Sequence, residues 1–311
     1  MLGVRKAVIT AAGLGTRLLP TTKEIPKEML PIFTRGACGE LLLKPLIQLI
    51  FEQLFDVGIR DFFFIVGRGK RAIEDHFTID SGFLELLREK GKDCYADELE
   101  SFYRKIDESN IVFLNQPEPK GFGDAVLRAR NLIDETFMVH AGDTYIVSED
   151  LEHIKLLFHA HERWDASATL LVMEVANPRP YGVVGGELAE ENVLRVGRLE
   201  EKPEEPWSKL AILPLYVFET EIFDVLAETP LGKGGELQLT DGIAGLLKRG
   251  GRVMAVKLPE GAPRLDIGNP EGLWEAMETS YKLTSDPYFK NCHPLGSKGV
   301  DPRNRGAGVY R

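Results

Sequence analysis

Cysteine is scarce. The chain of 311 residues holds three, Cys38, Cys94 and Cys292, an odd number at wide spacing with no C-x-x-C pair. That pattern suggests neither a disulfide framework nor a zinc site, and reads as buried or idle thiols. Long apolar runs are missing too. None approaches the roughly 20 residues needed to span a bilayer. A strand is expected almost directly after Met1, which leaves no room for a signal peptide, so the expectation is a cytoplasmic protein with no membrane partner. Nor is there a basic excess. Lys and Arg total 38 against 48 Asp and Glu, a formal net charge of -10, whereas nucleic-acid binders usually carry a basic face. No nucleic-acid partner is expected, and any polyanionic ligand must be held by a local basic cluster or a metal ion.

Two familiar phosphate-binding spellings are also absent. The dinucleotide fingerprint G-x-G-x-x-G/A fails because the run from Gly13 places Leu18 at its sixth position, and no G-K-[ST] completes a P-loop. What stands there instead is Ala11-Ala12-Gly13-Leu14-Gly15-Thr16-Arg17, directly after an apolar run at Ala7-Val8-Ile9 that has the character of a buried parallel strand. Small residues at Ala12, Gly13 and Gly15 let a ligand approach the backbone, and the N–H groups of such a turn form an anion cradle. Arg17 offers a bidentate guanidinium, and Lys27 a mobile point charge. A lone Gly-x-Gly also fits an ordinary strand-to-helix turn.

The rest of the chain alternates. Residues 45–57 have the apolar stripe of a helix, and Phe62 to Val66 reads as a central strand, giving a βαβ unit. A helical insertion is expected over about 79–110. Ile111 to Leu114 is a strand delivering Gln116 and Gly121 at its carboxyl end, where open α/β sheets bind ligands. Gln matches the donor and acceptor pattern of a pyrimidine. Phe137 to Thr144 is a strand ending in Gly142-Asp143, a carboxylate placed to hold a hard cation against phosphate; a turn or helix-cap role fits as well. His153, His159 and His161 read as surface or groove residues without chemistry. Further on, Gly182 lets backbone meet a ligand, and Glu201-Lys202 sets a hydroxyl acceptor beside a phosphate-binding cation. Pro214 marks the strand over 210–218 as an edge or a bulge. The segment Glu236 to Asp241 opens a helix and reads as mainly structural, Asp266 as a turn residue, and a terminal helix is expected near 272–283.

Taken in order, Gly13-Leu14-Gly15-Thr16-Arg17, Lys27 in Pro-Lys-Glu-Met-Leu-Pro, the Gln116 loop, Gly142-Asp143, Tyr181-Gly182-Val183-Val184, Glu201-Lys202-Pro203 and the Asp266 segment resemble the sugar-1-phosphate nucleotidyltransferases over about residues 4–284. Inside that family the longer insertion is similar to uridylyltransferases, whereas the base loop is spelled much as in thymidylyltransferases. Residues 34–43 look inserted, and the basic tail is unmatched.

The resemblance implies an α/β, Rossmann-like doubly wound and mostly parallel sheet. It divides the chain into a nucleotidyltransferase domain at 1–270, a C-terminal helix at 271–284 and a tail at 285–311. It implies uridylyl transfer from UTP to glucose 1-phosphate, with dTTP as the alternative nucleotide and a catalytically silent nucleotide-sugar-binding subunit as the other. By position, it makes Arg17, Lys27 and Lys202 catalytic. Ala12, Gly13, Gly15, Glu28, Gln116, Gly121 and Asp143 hold the nucleotide, and Gly182, Glu201 and Lys202 the sugar phosphate. Asp143 and Asp266 hold Mg²⁺. A homo-oligomer, dimer or tetramer, is also implied.

Overall fold

The computed structural model describes residues 3–285. Its first strand, β1 (Lys6–Ala11), is followed by a loop of short 3-10 turns and a hairpin of β2 (Pro31–Arg35) and β3 (Leu41–Pro45). Helix α1 (Leu46–Asp56) buries Leu46, Ile47, Leu49, Ile50, Phe51 and Leu54 and stops where Gly58 turns the chain into β4 (Asp61–Val66). Next come α2 (Arg71–His76) and the inserted pair α3 (Ser81–Glu89) and α4 (Asp93–Asp107). The chain re-enters the sheet as β5 (Asn110–Asn115), then α5 (Phe122–Leu127), β6 (Phe137–Ala141), the short β7 (Thr144–Ile146) and α6 (Glu152–Arg163). The second half runs β8 (Ala168–Glu174), β9 (Gly182–Glu190), β10 (Val193–Glu201), β11 (Leu210–Phe218), α7 (Glu221–Glu228), α8 (Leu239–Lys248), β12 (Val253–Lys257), β13 (Arg264–Asp266) and α9 (Pro270–Ser285).

Nine strands form one sheet in the order β5-β4-β1-β6-β11-β8-β12-β10-β9. From β5 to β6 every pairing is parallel, and beyond β6 the sheet is mixed. Helices cover both faces. The α1, α4 and α6 side chains Phe51, Phe102, Ile154 and Leu157 pack on one, and Val126 of α5, Ile222 of α7 and Ile243 of α8 on the other. The consequence for function lies in the strand order. After β1 the chain moves outward to β4 and β5, then returns to the opposite side of β1 as β6, so the β1 and β6 carboxyl ends flank a topological switch point.

Several expectations need correction. Cys38 and Cys94 are joined in a disulfide across 56 residues of chain; they are partners because the β2–β3 turn folds against the start of α4, a contact that linear spacing does not show. His153 and His161 are buried, and only His159 of the three is exposed. Ser148 Oγ lies 2.5 Å from His153 Nδ1, and Thr169 Oγ1 lies 2.9 Å from His161 Nδ1. They lie on the sheet-facing side of α6, where polar partners make burial tolerable. Of the two readings of Pro214, the bulge holds and the edge does not: β11 sits between β6 and β8, with a register shift between Ile212 and Tyr216 that accommodates the missing N–H. The tail at 286–311, with Cys292, lies outside the described residues. Among the described residues no helix is long and apolar enough to cross a membrane.

Candidate functional site

The loop after β1 is built by close backbone packing. Ala12 meets Gly67 so tightly that a Cβ on Gly67 would stand 2.9 Å from the Ala12 carbonyl oxygen, which draws the β1 and β4 loops together. Gly15 adopts φ 65° and its carbonyl accepts from Thr22 Oγ1 at 2.7 Å, pinning the turn from which Arg17 projects exposed to solvent. Lys27, from a 3-10 turn over Lys27–Met29, reaches back so that its Nζ lies 3.6 Å from where a Gly13 Cβ would stand. The cation therefore hangs over the glycine loop.

Across the switch point, Lys27 Nζ sits 2.5 Å from Asp143 Oδ2. Burial pushes the Asp143 carboxyl up, but the Lys27 ammonium and, more weakly, Arg17 outweigh it, and the group is held below its ordinary value. Burial likewise opposes the charge on Lys27, and the neighbouring Asp143 and Glu28 carboxylates raise it. Both stay ionised at neutral pH.

Asp266 joins this pair through backbone pairing. Strand β13 runs antiparallel to β7 with Asp266 opposite Thr144, and the Ile267 N–H donates to the Asp143 carbonyl at 3.1 Å. The Asp266 carboxylate accepts from the Gly268 N–H at 2.9 Å and from the Arg264 guanidinium. Arg17 lies alongside, with a guanidinium nitrogen 3.3 Å from the Cβ position of Gly268. One region thus gathers Gly13, Arg17, Lys27, Asp143 and Asp266. Glu28 is placed differently: it is buried at 1% exposure, bonded to Lys70 Nζ at 2.8 Å and tucked under Gly142.

At the carboxyl end of β5, Gln116 is buried and its Nε2 donates to Asp124 Oδ2 at 2.7 Å and to the Gly121 carbonyl at 3.1 Å. A carboxylate only accepts, which fixes the amide orientation and leaves Oε1 as the acceptor. Gly121 has φ 107°, and a Cβ there would come within 2.5 Å of the Leu237 carbonyl oxygen. Only glycine fits.

The second cluster lies where β9 and β10 pair, Gly182 opposite Glu201. Glu201 accepts from Thr240 Oγ1 at 2.7 Å, and its other oxygen stands 3.0 Å from Lys202 Nζ. Lys202 itself has φ 42°, a strained left-handed conformation for a residue with a side chain. Its N–H donates to the Tyr181 carbonyl at 3.1 Å and its carbonyl accepts from Lys233. A side chain on Gly182 would crowd Glu201 and Thr240 at 3.0 and 3.1 Å.

The family described as Nucleotidyl transferase matches this chain over residues 6–282. The chain belongs to the nucleotidyl transferase family. Among similar proteins, the UTP–glucose-1-phosphate uridylyltransferase of Pseudomonas aeruginosa is 37% identical over 287 residues, covering 90% of this chain and 96% of the relative. The enzyme of the same name from Bacillus subtilis is 42% identical over 248 residues, covering 78% of this chain and 80% of that one. A crystal structure of UDP-glucose pyrophosphorylase complexed with UDP-glucose superposes with a TM-score of 0.77 at 33% identity, over 90% of this chain and 99% of that chain.

In this nucleotidyl transferase, four residues next to the site were not singled out from sequence. Lys70 follows β4 in a Gly-x-Gly turn and neutralises Glu28. Asp124 orients Gln116, Thr240 orients Glu201, and Arg264 bonds Asp266 and the Tyr181 hydroxyl, the latter at 3.2 Å. The position of Lys70 at a strand's carboxyl end was the available signal. Thr240 lies in the segment read as mainly structural. The three ligand atoms of Cys38, Glu40 and Cys94 also come within 4.8 Å of one another.

Proposed function

We propose that the protein transfers a uridylyl group from UTP to glucose 1-phosphate, giving UDP-glucose and pyrophosphate. The observation that carries this reading is the Lys27–Asp143 pair at the switch point, with Asp266 laddered beside it and Arg17 over the same loop. It concentrates cations and carboxylates where a polyphosphate reaches the sheet.

The attacking oxygen of a sugar phosphate is already ionised at neutral pH, so no general base is needed. The barrier is the approach of two anions, and the chain answers it with placed charge and position. Arg17, Lys27 and the N–H groups around Gly13 and Gly15 hold the β and γ phosphates and stabilise the departing pyrophosphate. Ala12 and Gly13 keep the backbone close to the nucleotide. Gln116 Oε1 accepts the N3–H of the pyrimidine, while Gly121 keeps the loop near enough for contact. Glu28, fixed by Lys70, supports the Gly142-Asp143 turn from below. Lys202 takes the sugar phosphate, Glu201 the sugar hydroxyls, and Gly182 leaves room for the ring. In-line attack on the α-phosphorus follows from seating both substrates between these groups.

The donor set of Asp143 and Asp266 is all oxygen and dianionic, which fits Mg²⁺. When bound there, the cation neutralises phosphate oxygens as a Lewis acid. Lys27 and Arg264, which now face these carboxylates, are the groups that must shift to share them.

The catalytic unit is assigned to residues 1–270, with 271–284 as an appended helix and 285–311 as a tail. A cytoplasmic location suits soluble phosphorylated substrates. A dimer or tetramer is part of the same reading, with exposed Phe83 and Leu86 on α3 and Trp274 and Tyr281 on α9 as apolar surface for contacts. The test is ³¹P NMR of the purified protein with UTP, glucose 1-phosphate and Mg²⁺. Growth of UDP-glucose and pyrophosphate resonances supports the reading. Tight nucleotide binding with no product would assign a silent binding subunit instead.

A further inference from the structure

The tip of the β2–β3 hairpin carries a group of residues that the transfer reaction does not use. Gly36 to Glu40 close a tight turn, with the Gly36 N–H donating to the Glu40 carbonyl and the Gly39 N–H to the Gly36 carbonyl, both at 2.9 Å. The turn folds the Glu40 side chain back over Gly36, where a Cβ would displace the carboxylate. Both Glu40 carboxylate oxygens are buried, and neither has a hydrogen-bond partner among the described residues. An unpartnered buried carboxylate is costly and calls for a counter-charge.

The nearby cations do not supply one. Arg35 gives its guanidinium to the carbonyls of Thr284 and Gly39, at 2.6 and 2.5 Å. Lys44 is shared by Glu52 and Glu98. What does face Glu40 is sulfur: Cys38 from the same turn and Cys94 from the start of α4, with the three ligand atoms within 4.8 Å of one another.

We propose that, in the dithiol state, Cys38, Cys94 and Glu40 form a binding site for a thiophilic divalent cation of the Zn²⁺ class. Three protein ligands of thiolate and carboxylate type, with water as the fourth, suit tetrahedral zinc. Two thiolates on such an ion stand roughly 3.8 Å apart, given a Zn–S distance of about 2.3 Å. Side-chain rotation alone can open the disulfide pair to that separation once it is reduced. Cys94 lies in the first turn of a 15-residue helix, where the helix dipole favours the thiolate. Cys38 is exposed and gives the ion a route from solvent.

Reduction and metal loading do not involve the active site. An external thiol or phosphine reductant delivers two electrons, and two protons enter, converting the disulfide to two thiols. Zn²⁺ then displaces both thiol protons to solvent. Glu40 receives the charge it lacks, and the hairpin stays stapled to α4 with a metal in place of the covalent bond. The site thus exchanges one cross-link for another according to redox state.

The test uses the full chain, reduced with a phosphine under anaerobic conditions, freed of reductant and loaded with Zn²⁺ or Co²⁺. The expected result is one equivalent bound by reduced protein that oxidised protein lacks, and thiolate-to-cobalt charge-transfer absorption with tetrahedral ligand-field bands. Cys38→Ser and Cys94→Ser lose that equivalent, while Cys292→Ser keeps it. Glu40→Gln weakens it by more than the roughly 10- to 100-fold that a group outside the coordination sphere costs. The oxidised wild type serves as a folded control of identical sequence. Equal binding by reduced and oxidised protein, or unchanged affinity in Glu40→Gln, would overturn the proposal.

Discussion

Lys27 Nζ and Asp143 Oδ2 stand 2.5 Å apart across the switch point between β1 and β6, joining a loop cation to a strand-end carboxylate 116 residues away. Each keeps the other charged against a burial penalty. In the proposed reaction, replacing Lys27 with Ala would take a cation away from the departing pyrophosphate. The expected loss in kcat is about 10²- to 10³-fold, the range for one preorganised electrostatic donor. Steady-state pyrophosphate release measures it, and unchanged turnover would contradict the assignment.

The same pair sets a pH dependence. With Lys27 present the Asp143 carboxyl titrates below its ordinary value of 3.8, so the carboxylate is available well into acid and is lost only as pH falls through that depressed value. In Lys27→Ala the burial effect is left without its main opponent, and the pKa moves up. The acid limb of Mg²⁺ affinity should therefore shift to higher pH in the variant. Titrating metal affinity between pH 4 and 7, roughly the window that carboxylate shifts of this kind span, gives the answer.

Glu28 and Lys70 form a buried ion pair under the Gly142 turn. Burial raises the Glu28 carboxyl, and Lys70 and Lys27 offset part of that rise. Lys70→Met should cost about 3–5 kcal/mol by taking the hydrogen-bonded partner from a buried charge. Its stability deficit should deepen as pH rises, because a carboxyl whose folded pKa exceeds its unfolded pKa binds more protons when folded. Denaturant midpoints for the variant across pH test this, and the double variant Glu28→Gln, Lys70→Met should lose that pH dependence.

Thr240 donates to Glu201 at 2.7 Å and leaves the other carboxylate oxygen to Lys202. Thr240→Val keeps the shape and removes the donor. The KM for the sugar phosphate should rise by about tenfold, equivalent to one lost hydrogen bond to a charged group, with the KM for the nucleotide unchanged. A rise in both would mean a wider disturbance of α8.

Much of this arrangement was legible in the sequence because strand-end loops carry compact spellings. The β1 loop, the Gln116 loop and Gly142-Asp143 each follow an apolar run that identifies its strand. The ladder that sets Asp266 beside Thr144 was hidden, since β7 and β13 are only three residues each and show no period. The pairs Glu28–Lys70 and Glu201–Thr240 join residues 42 and 39 apart, and depend on how strands are ordered in space. Pro214 left edge and bulge open for β11, and only the register shift between Ile212 and Tyr216 decides for a bulge in a central strand. Cys38–Cys94 escaped for the same reason as the ion pairs, and the burial of His153 and His161 depends on which side of α6 meets the sheet.

The most direct test of uridylyl transfer is the rate of pyrophosphate release by the purified protein with Mg²⁺ and glucose 1-phosphate, comparing UTP with dTTP and using galactose 1-phosphate as the control acceptor. The expected result is a higher kcat/KM for UTP with glucose 1-phosphate than for any other pair. A preference for dTTP, or no release with either nucleotide, would contradict it.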